Sequence, residues 1–216
     1  MAKRGRPIDF AELKRAFGGL LASFRTRTLW IVGIFLLFYY FSPGFNTPLY
    51  FYMTDTLHFS QGYIGFLGSI ASAGSIAGAL VYHWFLSGMS SKRILQLSIL
   101  LGTISTASFL ALFGEASAAI LNFCNGIAGM IALVATLTLA ADYCPKRSEG
   151  FAFAVLMSVT NLASALSDNV GSFLYERAFE NRLAPLIIVS AAFTAFAWLL
   201  IPLLRLGNKR QGDPVS

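Results

Sequence analysis

Apolar residues fall in six long stretches, at 29–53, 63–86, 94–113, 116–141, 150–174 and 183–204, separated by short polar connections. A helix that crosses the hydrocarbon of a bilayer needs about 20 mostly apolar residues. Each stretch meets that length, so the pattern predicts an all-α membrane protein with six transmembrane helices. Ahead of the first stretch, Phe10, Leu13, Phe17, Leu20 and Phe24 recur at three- and four-residue steps, with Glu12, Lys14 and Arg15 on other faces. That periodicity predicts an amphipathic helix lying in the membrane interface. The chain thus divides into a basic amphipathic segment (1–27), a six-helix bundle (28–204) and a polar tail (205–216) expected to be disordered.

Charge gives the bundle a direction. Lys3, Arg4, Arg6, Lys14, Arg15, Arg25 and Arg27 precede the first span, Lys92 and Arg93 follow the second, and Lys146 and Arg147 follow the fourth. Arg205, Lys209 and Arg210 end the chain, whereas the connections around Asp55 and Glu115 carry no basic residue. Short loops rich in Lys and Arg stay on the cytoplasmic side. Both termini are therefore expected in the cytoplasm, with the chain multi-pass in the plasma (inner) membrane.

Composition agrees. Hydrophobic residues make up 56% of the chain and charged ones 12%, about half the charged share of a soluble domain. The net charge of +6 does not point to nucleic acid, because the basic residues sit in clusters at span ends. Cys124 and Cys144 have neither metal-ligand spacing nor the pattern of a disulfide framework, and they read as small apolar residues.

Polar and helix-breaking residues inside the spans are the candidate chemistry. The first stretch contains Ser42-Pro43-Gly44-Phe45-Asn46-Thr47-Pro48, and two prolines open the backbone ladder there. Freed carbonyls in lipid need partners or cavity water. Asn46, Thr47 and Tyr50 beside the break are thus candidate solute contacts, although a kink compensated by local Ser and Thr fits the same residues. Gly74 and Gly78, with Gly68, Ser72 and Ser75 nearby, read as a close helix-packing seam. The fourth span carries Asn122 and Asn125. The fifth carries Asn161, Ser164, Asp168 and Gly171 on one face. An acid inside a span usually faces a cavity, and Asp168 stands about 27 Å along its helix from the cytoplasmic end. Asn122, Asn125, Asn161 and Asp168 join the candidate substrate-binding set; bonding to a neighbouring helix is the competing reading. At the cytoplasmic end, Asp142 and Glu149 can pair with Lys146, Arg147, Lys92 or Arg93, either as a gating charge network or as a static anchor. His58 and His83 have no acidic partner in sequence.

No HExxH, GxSxG or phosphate-cradling GxxxxGK[ST] occurs, so no enzyme, cofactor or metal is expected.

Several segments together resemble the folate–biopterin transporter family of the major facilitator superfamily. They are Thr47-Pro48 through Leu57-His58-Phe59-Ser60, Gly65-Phe66-Leu67-Gly68, and Gly78-Ala79-Leu80-Val81-Tyr82. Cys144-Pro145 with Glu149, Ser158-Val159-Thr160-Asn161 and Gly171 complete the set. The resemblance implies half of a major-facilitator-type fold, a 3+3 inverted repeat matching the C-terminal bundle of a twelve-span protein. It implies secondary transport of an organic solute such as a folate or pterin, with an ion gradient, protons by preference, as the drive for symport. The expected surroundings are lipid bilayer, a small organic solute, and either a second six-helix half or a second copy of the chain. The alternative is a non-transporting membrane partner subunit or a truncated transporter remnant.

Overall fold

The computed structural model describes residues 27–142, 144 and 149–204. The amphipathic segment, the C-terminal tail, Lys146 and Arg147 lie outside the described residues.

Every regular element described is helical. The first apolar stretch forms α1 (Arg27–Tyr40), a five-residue unwound segment, and α2 (Asn46–Phe51), which widens into a π-helical turn at Tyr52–Thr56. The sequence predicted one kinked span; the structure shows two separate pieces. Pro43 supplies no donor and clashes with the carbonyl one turn back, and the residue before a proline is pushed out of the α region. The helix accordingly stops before Ser42. Pro48 is tolerated because it falls in the first turn of α2, where backbone donors have no helical partner.

The other five stretches form α3 (Gln61–Val81), α4 (Ser91–Ser108), α5 (Glu115–Asp142), α6 (Glu149–Phe173) and α7 (Leu183–Phe196). With the tighter or wider turns that prolong them, they make five helices long and apolar enough to cross a membrane, while Leu29–Tyr40 is a shorter apolar helix. Ser60 caps the start of α3, its hydroxyl accepting the Tyr63 N–H at 3.2 Å. Large apolar side chains face outward along the bundle: Phe85 is 73% exposed and Phe113 77%. A soluble protein does not present such a belt; lipid is the solvent that accommodates it. The protein is an integral, multi-pass membrane protein.

Packing places α3 against α5, α5 against α4, α4 against α7, and α1 against α6 and the end of α7. Two dry cores result. One is built around Leu36, Leu95, Ile99, Leu139, Leu156 and Ile201, the other around Leu49, Leu67, Phe109, Leu112 and Ile187. Between them in chain order along α1–α2, α6 and α7 lies a buried polar layer that includes Thr160, Ser167, Ser190 and Thr194.

Candidate functional site

The unwound segment at Ser42–Phe45 is held from two sides. Its Gly44 N–H donates to the Ser167 carbonyl of α6 at 3.0 Å. The Ser167 hydroxyl in turn donates to the Ser42 carbonyl. From α7, the Thr194 hydroxyl donates to Ser42 Oγ at 3.0 Å, and the Ser42 hydroxyl donates to the Ser190 carbonyl at 3.0 Å. Backbone groups released by the break thus find partners in protein, as the hydrocarbon requires. Contact is also steric: a Cβ on Gly171 would run into the Gly44 carbonyl. Glycine at 171 is what lets α6 touch the bare backbone of the break.

Asp168 sits one turn from Gly171 on this face. Its Oδ1 accepts from Asn46 Nδ2 at 3.3 Å, so the first residue of α2 and the acid of α6 meet across the break. Both are open to the exterior of the protein, Asn46 exposed and Asp168 half-buried. Beyond them opens a cleft of about 420 Å³. One wall is Thr47, Phe51, Asp55 and Thr56; the other is Ser172, Tyr175 and Glu176 from the end of α6. Asn181 closes the rim, on a turn in which Glu180 and Asn181 both take positive φ, 50° and 61°.

Of the residues singled out in sequence, Asn46, Thr47 and Asp168 come together here. Tyr50 does not line the cleft; its hydroxyl donates to Gln61 Oε1 at 3.0 Å. Asn122 and Asn125 are turned to their own helix, their amides donating to the Ala118 and Leu121 carbonyls at 2.8 Å, and Asn125 also accepts from Ser105. Asn161 is exposed seven residues before Asp168, roughly 10 Å along α6, and its side chain makes no hydrogen bond among the described residues. At the α3–α4 and α5–α6 connections, Asp142 accepts from the Ser91 hydroxyl at 2.7 Å. No ion pair joins Lys92 or Arg93 to Asp142 or Glu149 among the described residues. His58 and His83 are both exposed.

Sequence reasoning passed over the clasp partners Ser167, Ser190 and Thr194, and used Asp55 only to mark a connection without basic residues. Small hydroxyls recur in spans for many reasons, and nothing in their spacing pairs position 42 with 194. A usable signal was the coincidence of Ser167 and Gly171 beside the only acid well inside a span.

The predicted packing seam is present. Gly74 and Gly78 of α3 face the backbone of α5, where a Cβ on Gly78 would stand 2.7 Å from the Ile127 carbonyl oxygen, and Gly126 faces Ala71 in return. Ser75 donates to the Ala71 carbonyl at 3.1 Å and touches the Gly126 carbonyl at 3.4 Å.

Comparison with known proteins assigns the relatives of this architecture. Residues 13–215 match the model of the Major Facilitator Superfamily. The chain is 30% identical over 225 residues to a folate-biopterin transporter of Synechocystis, a match covering 97% of this chain and 44% of that protein. It is 25% identical over 187 residues to folate transporter 2 of Plasmodium falciparum, covering 79% of this chain and 41% of the relative. A probable folate-biopterin transporter of Arabidopsis thaliana is 24% identical over 176 residues, covering 76% and 35%. The chain spans less than half the length of these curated relatives. These relatives are transporters, not enzymes. The chain belongs to the Major Facilitator Superfamily and is related within it to the folate–biopterin transporters.

Proposed function

We propose that this chain forms one six-span bundle of a secondary transporter for a pterin- or folate-like solute. The broken first span lies against the only acid well inside a span, and Asn46 bridges to Asp168 across the break. That observation carries the reading. Discontinuous helices at mid-membrane are where secondary transporters build solute and ion sites, and the relatives, a folate-biopterin transporter and a folate transporter, supply the solute class. In this reading Asn46, Thr47 and Asp168 contact the solute, with Asn161 lower on the same stripe, while Tyr50, Asn122 and Asn125 shape the wall from behind. Asp168 couples uptake to an ion gradient by exchanging a proton. The six spans form a 3+3 inverted repeat, both termini lie in the cytoplasm of the plasma (inner) membrane, and the cleft opens outward. Lys92, Arg93, Asp142, Lys146, Arg147 and Glu149 act at the inner gate. A second six-helix half or a second copy completes the path.

Uptake of labelled biopterin into proteoliposomes tests this. Wild-type uptake should respond to a pH gradient, and Asp168→Asn should lose that response while keeping a native unfolding midpoint. Uptake no greater than that of empty vesicles, with the chain alone or with a supplied partner half, overturns the transport reading. An unchanged pH response in Asp168→Asn removes Asp168 from coupling.

A further inference from the structure

The cleft beyond Asp168 has a chemical bias. Its walls present two carboxylates, Asp55 and Glu176, with Asp168 a turn below, and no basic side chain among the described residues lines it. Neither Asp55 nor Glu176 is ion-paired among the described residues. Asp55 takes one hydrogen bond, from the Thr54 hydroxyl at 2.8 Å, which leaves carboxylate acceptor capacity open. Phe51 is 48% exposed beside them and Tyr175 faces it from α6, so the cleft pairs aromatic surface with acceptors. Thr47, Thr56, Ser172 and Asn181 add neutral donors and acceptors. A volume near 420 Å³ is in the range that holds one small ligand.

We infer that this cleft selects the pterin ring and rejects the glutamate tail, so that the chain handles unconjugated pterins in preference to folates. The inference rests on the solute class proposed above. A pterin presents adjacent N–H donors along its 2-amino-4-oxo edge, spaced like a guanidinium fork. A carboxylate accepts such a pair in parallel, which is the strong form of the bond. The flat ring also suits an aromatic wall. Folic acid offers the same edge but carries two further carboxylates at neutral pH. Brought among Asp55, Glu176 and Asp168, those charges repel across the open cleft, within the distance over which salt has not yet screened them. Glu176 is assigned the bidentate contact, because Asp55 already holds Thr54.

Equilibrium binding to the purified full chain in lipid nanodiscs tests this, with biopterin, folic acid and p-aminobenzoyl-glutamate as probes. Biopterin should bind at least tenfold more tightly than folic acid, a difference of ~1.4 kcal/mol, and p-aminobenzoyl-glutamate should not compete. Raising salt should narrow the gap by weakening the repulsion of folate. Glu176→Gln should weaken biopterin about tenfold and bring folic acid closer to it, while the unfolding midpoint stays put, since Glu176 is exposed and unpaired. Asp55→Asn should relieve folate repulsion with less effect on biopterin. Folic acid binding as tightly as biopterin, or a biopterin affinity indifferent to both substitutions, overturns the selectivity while leaving the transporter reading intact. Binding of none of the three probes overturns the solute class itself, and the selectivity with it.

Discussion

The α3–α5 seam and the α1–α2 break are both places where backbones touch, and they are held in opposite ways. In the seam two unbroken helices approach because Gly74, Gly78 and Gly126 remove the side chains between them, with Ser75 adding one weak bridge. Each helix satisfies its own backbone, so dispersion is the main force across the contact. In the break the backbone has lost its internal partners. Gly171 still provides close approach, but Ser167, Ser190 and Thr194 must supply the missing hydrogen bonds from two other helices. The seam is a packing solution that costs no hydrogen bonds. The break is an arrangement whose cost is met elsewhere in the chain, and Asp168 stands at its edge. Irregular backbone at membrane depth that is kept in this way commonly accompanies a solute path.

Substitutions at the two contacts separate these forces. Gly171→Ala should have the largest effect, since its methyl must displace the Gly44 backbone and the bonds that hold it. A loss of about 3 kcal/mol is expected, at the upper end of ordinary overpacking, read as a drop in the detergent unfolding midpoint. Gly126→Ala should cost about 2 kcal/mol, because two intact helices can separate slightly without losing backbone hydrogen bonds, giving up at most the weak Ser75 bridge. Gly129→Ala, one turn away with open space around it, should be close to neutral. If Gly126 and Gly129 respond alike, the seam is not where the geometry puts it. Ser42→Ala removes one donor and one acceptor from the clasp and should cost ~1 kcal/mol, in line with hydrogen bonds between membrane helices. The same change at Ser158, which bonds only to its own helix at Ala154, should be measurably milder.

The smallest effect is a rate. Cys144 lies between α5 and α6, where the two regions join, and burial, followed by the Glu149 carboxylate, pushes its thiol up from the ordinary range. Maleimide reacts with the thiolate, so labelling of Cys144 in a Cys124→Ser background should be slow at neutral pH and accelerate as pH rises. Glu149→Gln removes the second cause, lowers the pKa and should speed labelling at pH 7. A rate unchanged by that substitution would mean Glu149 does not face the thiol.

Reading the chain one residue at a time recovered the seam better than the clasp. Gly74 and Gly78 announce themselves by spacing, and the break at Pro43 by local backbone chemistry. The clasp joins Ser42 to Ser167, Ser190 and Thr194 across separations of 125 to 152 residues. Asn122 and Asn125 show the reverse limit: from sequence they matched Asn46 as candidate contacts, yet their amides close on carbonyls four residues back.

What the sequence determined by itself is whatever depends on near neighbours along the chain: which stretches prefer lipid to water, where proline stops a helix, and where glycine permits close approach. The folded bundle decided which polar groups pay for the break, that Asn46 reaches Asp168, and that Asp55 and Glu176 face one another across a cleft. Local preferences follow from hydrophobic length and backbone sterics within a few residues. Pairing between distant hydroxyls and carboxylates depends on how whole helices cross, and that is fixed only when apolar surface and every backbone group inside the membrane are satisfied together.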